Sequence, residues 1–244
     1  MNAWIIKEET DYNEMVWKNG KGKSIQVHIE PPNMTLQDPF DWRISSAVIG
    51  IAGPFSSFEG YQRTVVILKG NKLSLYHRQK PNETINLDYF QPYGFDGGWD
   101  TDSEFTIPSP SQKQQQHHQT TTEETHDFSV ITKQNLYHHT CRILAFGHHH
   151  HHKETICLDS ISDRSHIILY NYGSQITVEQ ENPGKSTIQC KLEPKQTLII
   201  KDLMKRSSSS SNNLIIKCTD HHPNENSKVI FIVISPLVSS STSL

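Results

Sequence analysis

Ser24-Ile25-Gln26-Val27-His28-Ile29-Glu30 alternates strictly between polar and apolar residues. Ile25, Val27 and Ile29 fall on one face of an extended chain, and Ser24, Gln26, His28 and Glu30 fall on the other. That period of two marks a half-buried antiparallel strand, with His28 on its solvated face. The same pattern extends outward to further strand candidates: Trp42–Ile51, Thr64–Tyr76, Asp127–Lys133, Cys141–Phe146, Thr155–Leu158 and His166–Tyr172. It continues through Gln175–Gln180, Thr187–Leu192, Thr197–Leu203, Leu214–Cys218 and Lys228–Ser235. These runs are short, rich in β-branched residues and separated by turn signals such as Lys69-Gly70-Asn71-Lys72, Asn171-Tyr172-Gly173-Ser174 and Asn182-Pro183-Gly184-Lys185. Only Thr10–Val16 offers a weak helical stretch. The expected class is all-β, a barrel or sandwich.

With 244 residues the chain is long enough for one large β domain or two half-size ones. A formal net charge of -3 gives no clustered basic face for nucleic acid or an anionic membrane. Hydrophobic content is only 34%, because polar tracts dilute an ordinary core. Four tracts do this: Ser109 to Thr125, His148–His152, Arg206–Asn213 and the tail Ser239–Leu244. None can bury enough apolar area to offset its ordering entropy, so all four are expected as mobile surface loops. The expected organisation is an N-terminal half over residues 1–108, an insertion over 109–126, a C-terminal half over 127–238 and a tail over 239–244.

Cys141, Cys157, Cys190 and Cys218 are far apart and lie in apolar, strand-like runs, the pattern of buried reduced thiols. The N-terminal stretch Met1-Asn2-Ala3-Trp4-Ile5-Ile6-Lys7-Glu8-Glu9 turns acidic after a very short apolar patch and is not expected to be a signal peptide, and the most apolar run, Val229 to Val238, is shorter than the ~20 residues a spanning helix needs. The expected location is the cytoplasm.

Three strings mix aromatics, turn formers and arginines inside strand-like sequence. They are Trp17-Lys18-Asn19-Gly20, Phe40-Asp41-Trp42-Arg43-Ile44-Ser45-Ser46-Ala47, and Gly53-Pro54-Phe55-Ser56-Ser57-Phe58-Glu59-Gly60-Tyr61-Gln62-Arg63. That mixture fits a lined cavity better than a plain sheet surface. Alternation puts Asp41, Arg43, Ser45 and Ala47 on one face and Trp42, Ile44 and Ser46 on the other. If the Arg43 face lines a hollow, the small Ser45 and Ala47 leave room beside a guanidinium, and Arg63 enters the next strand at the same mouth. A guanidinium is a planar fork of donors matched to a carboxylate. Phe55, Phe58 and Trp99 are candidate apolar walls. The plainer alternatives stay open: Arg43 pairing with Asp41 or a cross-strand acid, Arg63 tying down the Gly53–Gly60 loop, and Trp17 and Trp42 as core residues. Asn19-Gly20 reads as a turn in which the Asn side chain caps local backbone.

Those three strings resemble the HutD/Ves family pattern W-[KR]-N-G-G-G, F-x-W-R-[IL]-S-x-A and G-P-F-S-x-F-x-G-x-x-R. The matching residues are Trp17 to Gly20; Phe40, Trp42, Arg43, Ile44, Ser45 and Ala47; then Gly53, Pro54, Phe55, Ser56, Phe58, Gly60 and Arg63. Val65 to Gly70, Phe95-Asp96-Gly97-Gly98-Trp99 and Asp127-Phe128-Ser129-Val130 also fit, so the likeness runs in order across roughly the first 130 residues. Lys21 breaks the glycine run and Ser129 stands where the family usually has Asn. The resemblance implies a bicupin: two β-barrel or jelly-roll-like halves in one chain, with low-complexity loop insertions. It also implies a link to histidine utilisation, as a sensor or regulator that binds a small carboxylate.

Fifteen histidines invite a metal site, but eleven lie in runs and only His28, His77, His126 and His166 stand alone. A cupin metal site needs an H-x-H pair with a downstream Glu and His, whereas the chain after Arg63 reads Val65-Val66-Ile67-Leu68-Lys69-Gly70. No metal and no cofactor is expected. Nucleophile elbows, phosphate loops and dinucleotide fingerprints are missing too. The expected ligand-binding residues are Arg63, Arg43, Ser45, Phe55, Phe58 and Trp99, for a metabolite of the urocanate, formate or N-formylglutamate class. A second copy of the chain is the expected assembly partner. Two alternatives remain: a metal-independent isomerase or hydrolase using His77, Asp96 or Asp127 as acid/base, and a structural or partner-binding β protein.

Overall fold

The computed structural model describes residues 3–17, 19–106, 124–147, 153–162, 164–181, 187–201, 212–219 and 227–237. The polar segments within 107–123, 148–152, 206–211 and 239–244, and the Asn182-Pro183-Gly184-Lys185 turn, lie outside the described residues. The described residues form eighteen β-strands, joined by turns that include two short 3-10 segments, Glu9–Asp11 and Leu158–Ser160. The weak helical stretch at Thr10–Val16 resolves into the first of these and a strand, because Asn13–Val16 hydrogen-bonds to a neighbouring strand edge.

The chain divides into two compact units, Asn13–Asn135 and a second made of Met1–Tyr12 with Leu136–Leu244. This corrects the expected boundaries. β1 (Ala3–Lys7) is the edge strand of the C-terminal unit, paired with β16 (Thr197–Lys201). β10 (Thr125–Lys133), expected to begin the C-terminal half, instead lies between β4 (Trp42–Ile49) and β5 (Tyr61–Lys69). Ladder pairing on both edges of β10 decides its unit, and the polar insertion before it is therefore internal to the N-terminal unit.

In the N-terminal unit a six-stranded sheet runs in the order β2 (Asn13–Val16), β3 (Gly22–Glu30), β4, β10, β5 and β8 (Tyr93–Asp96). A three-stranded sheet holds β7 (Thr84–Leu87), β6 (Leu73–His77) and β9 (Thr101–Phe105). The single run expected over Thr64–Tyr76 is thus two strands in different sheets. Gly70 (φ +86°) makes the break, and a side chain there would collide with the carbonyl of Glu124. An apolar cluster of Ile49, Val65, Ile67, Leu73, Leu75, Leu87 and Phe95 joins the two sheets.

The C-terminal unit has a five-stranded sheet, β1, β16, β13 (His166–Tyr172), β18 (Lys228–Pro236) and β11 (Tyr137–Ala145). Its four-stranded sheet holds β12 (Lys153–Cys157), β17 (Asn213–Cys218), β14 (Ile176–Glu181) and β15 (Ile188–Leu192). Leucine, isoleucine, valine and phenylalanine from both sheets interlock in one cluster.

Two further expectations are corrected. His28 is buried, not solvated. Its Nε2 is 3.0 Å from Glu30 Oε2, because a register shift between Gln26 and His28 breaks the simple alternation of β3. All four cysteines are free thiols, but only Cys218 is buried, and Cys157 is exposed on an edge strand.

Candidate functional site

The site grows from the register of the six-stranded sheet. Ile29, Arg43, Ile131, Arg63 and Phe95 stand opposite one another on adjacent strands, so their side chains form one row on one face. The next row holds Gln26, Ser45, Ser129 and Val65, and the one after that Ser24, Ala47, Asp127 and Ile67. Both arginines lean toward the serine row. Arg43 Nη1 donates to Ser45 Oγ at 3.0 Å and its Nε to Gln26 Oε1 at 3.0 Å. Arg63 Nε donates to Ser129 Oγ at 3.2 Å, and Ser129 Oγ in turn donates to the Thr64 carbonyl at 3.2 Å. Asp127 is one row further along, about 7 Å in strand rise.

The β4 and β10 members of these rows, with Arg63 and Ser24, form the floor of a cavity of about 500 Å³. Its other wall is the segment Gly53–Phe58. Phe55 N–H donates to the Thr101 carbonyl, and Phe58 N–H to the Gly97 carbonyl at 2.7 Å. Gly97 permits that approach, since a Cβ there would come within 2.9 Å of the carbonyls of Phe58 and Tyr61. Phe55 covers Arg63, with the guanidinium carbon 4.6 Å from the ring centroid. Trp17, whose Nε1 donates to Ser24 Oγ, closes one end. The exposed side chains of Val16, Leu36 and Ile51 rim the mouth. Asn19 Oδ1 accepts the Lys21 N–H, the capped turn read from Asn19-Gly20.

Charge in this cavity is unbalanced. Among the described lining residues the charged groups are Lys21, Arg43, Arg63 and Asp127. Arg43 is 4% exposed and Asp127 1% exposed, yet no ion pair joins Asp127 to either arginine among the described residues. Arg43 Nη2 and Asp127 Oδ1 are buried without a hydrogen-bond partner. Burial pulls the Arg43 guanidinium down to about 10, and the charge of Arg63 pulls the same way. Burial likewise holds Arg63 at about 10, against the opposing pull of Asp127. Both remain cations at neutral pH. Burial pushes the Asp127 carboxyl up to about 6, opposed by Arg63, the Ala47 N–H and Arg43. Leaving a buried polar atom unpaired costs about 1–3 kcal/mol, and two such atoms of opposite character line this one hollow.

Of the residues expected from the sequence, Arg63, Arg43, Ser45, Phe55 and Phe58 all line this cavity. Trp99 does not. The turn closed by its N–H to the Asp96 carbonyl carries it toward the other sheet, edge-on to His77 at 5.0 Å and beneath Lys80 Nζ at 5.5 Å. Trp42 is wholly buried on the opposite face. The alternative partner for Arg43, Asp41, is not among its hydrogen-bond partners. Gln26 and Ser129, which hold the two arginines, were not among the expected site residues. Alternation along Asp127–Lys133 puts Asp127, Ser129 and Ile131 on one face, and that signal would have found Ser129; Gln26 lies beside the register shift of β3, which hid its direction. What the sequence concealed was the adjacency of β10 to β4 and β5.

A family model described as HutD matches residues 9–213, most of the chain. An uncharacterised 21.2 kDa protein in the hutC 3' region of Pseudomonas putida is 36% identical over 97 residues, 40% of this chain and 49% of that protein. The chain therefore spans about half the length of this curated relative. HutD from Pseudomonas fluorescens SBW25, in its formate condition, superposes with a TM-score of 0.66 at 20% identity, covering 96% of this chain and 100% of that one. The formate complex of oxalate decarboxylase from Lactobacillus farciminis gives a TM-score of 0.56 at 7% identity, covering 94% and 85%. The shared architecture is the bicupin, two jelly-roll-like units in one chain, although the sheets here are not closed barrels. The chain belongs to the HutD family.

Proposed function

We propose that this chain binds a small carboxylate and serves as a sensor or regulator of histidine utilisation, with the cavity of the N-terminal unit as its site. The observation that carries the reading is the pair of guanidiniums over one hollow with a single carboxylate, one of its oxygens without a partner, to balance them. A net positive, water-restricted cavity attracts an anion, and the guanidinium of Arg43 retains a free donor on Nη2 to receive it. Phe55 and Phe58 supply apolar walls of the kind that small-ligand sites use. Relatives in the hut region fit such a role, and action in the cytoplasm is part of the proposal; among the described residues no helix is long and apolar enough to cross a membrane. Calorimetric titration with urocanate, formate and N-formylglutamate tests it. At least one gives a saturable heat that Arg63→Ala removes; silence with all three, or heats indifferent to Arg63→Ala, ends the proposal.

One observation favours a second reading, a metal-independent enzyme. Asp127 faces the cavity with its carboxyl held near 6, a value suited to moving protons at neutral pH. His77 and Asp96 do not share that role: His77 is tied between Thr101 Oγ1 and Tyr93 OH, and Asp96 binds Gly98 N–H and Gln134 Nε2. Following each ligand by NMR during long incubation separates the readings. Conversion that Asp127→Asn stops favours the enzyme.

A further inference from the structure

We propose that the cavity selects a carboxylate that also carries a hydrogen-bond donor a few ångströms away, the carboxylate docking on Arg43 and Arg63 and the donor on Asp127. The inference rests on the carboxylate-binding reading and deepens it by naming the ligand class. Two buried, unpartnered atoms of opposite character line the same hollow: Arg43 Nη2, a donor without an acceptor, and Asp127 Oδ1, an acceptor without a donor. They do not satisfy each other, because the arginines stop at the serine row, tethered by Ser45, Ser129 and Gln26. Asp127 lies one row beyond, about 7 Å along the strands. A ligand with only a carboxylate fills the first vacancy and leaves the second, and also brings a second anion near Asp127. One bearing an N–H or O–H at that separation fills both. Formate, which has no donor, fits this pattern worst, while an imidazole-bearing or amide-bearing acid fits it well.

Asp127 is also the group that makes the selection depend on pH. The charged groups acting on it are Arg43 on β4 and Arg63 on β5; Lys21, in the turn before β3, lines the same hollow, while His126 pairs with Val48 on the opposite face. Above about pH 6 Asp127 is an anion that demands a donor, and below that it is a neutral acid that can itself donate.

The test uses two probes that differ in one ring atom, the acrylates of pyrrole and of furan, with the pyrrole N–H replaced by an oxygen. Calorimetry on the full chain at pH 7.5 is expected to give at least about tenfold tighter binding of the pyrrole acid. That preference is expected to shrink severalfold in Asp127→Asn, and in the unaltered protein at pH 5, a comparison that does not depend on the variant folding. Equal affinities at pH 7.5 overturn this inference and leave carboxylate binding intact. A preference that persists undiminished both in Asp127→Asn and at pH 5 also overturns it, since the donor then docks elsewhere. If neither acid binds, nor urocanate, formate or N-formylglutamate, the carboxylate reading itself has failed, and this inference with it.

Discussion

The two units are both built of paired β-sheets, and they differ in what the sheets enclose. In the C-terminal unit, Ile167 and Leu169 of β13, Leu198 and Ile200 of β16, and Val229 and Phe231 of β18 meet Ile176, Val178, Leu214 and Ile216 of the facing sheet. No charged side chain is among the buried members of that cluster, although the buried Gln180 continues the Ile176 and Val178 face of β14. In the N-terminal unit the equivalent kind of surface carries Arg43, Ser45, Arg63, Asp127 and Ser129, and apolar packing is pushed to either side. Ile29, Phe40 and Ile131 form one cluster and Ile49, Val65, Ile67 and Leu75 the other. Close packing gives the first unit its stability. The second gives up part of that packing to hold desolvated charges, the arrangement from which the carboxylate-binding proposal starts.

The largest effect expected from breaking this contrast is in the filled unit. Phe231→Ala should lower unfolding free energy by about 3–5 kcal/mol, read from chemical denaturation, because a rigid core collapses only partly around the void. Next comes Arg63→Ala, which should weaken carboxylate binding by about 2–5 kcal/mol in calorimetry while leaving the denaturation midpoint little changed. A stability loss as large as that of Phe231→Ala would mean that Arg63 is a structural tether and that the two units do not differ in kind.

Asp127 sharpens the comparison through pH. Its folded pKa of about 6 lies above the ordinary 3.8, so the fold disfavours its charged form. The stability it contributes is therefore full below about pH 3.8 and is lost as pH rises through 6, on the order of 3 kcal/mol. Asp127→Asn should flatten that fall in a series of denaturation curves from pH 4 to 7.5. An unaltered slope would assign the fall to other groups. The smallest effect is expected from Ser129→Ala, which removes the acceptor of Arg63 Nε and should reduce carboxylate affinity by about 1 kcal/mol, with an unchanged pH slope.

Much of this is legible in the sequence. Period-two alternation identified the strands that carry the site, and the spacing of Arg43 from Ser45 put both on one face. The Gly53–Arg63 string announced a glycine- and aromatic-rich wall. Short strands such as β7, β8 and β9 were not legible, since Thr84–Leu87, Tyr93–Asp96 and Thr101–Phe105 are too brief and too polar for a period to emerge. The bulge in β3 was hidden too, and with it the burial of His28 and the turning of Gln26 toward Arg43.

By itself, then, the chain determined an all-β character and the cast of side chains, because alternation and turn chemistry are local properties of a few consecutive residues. Only the tertiary structure decided that β10 lies between β4 and β5, that β1 completes the other unit, and that Trp99 faces away. Strand pairing joins residues tens of positions apart through backbone hydrogen bonds that are the same for every sequence, so local pattern cannot choose the neighbour. The charge imbalance at Arg43, Arg63 and Asp127 exists only once that choice has been made.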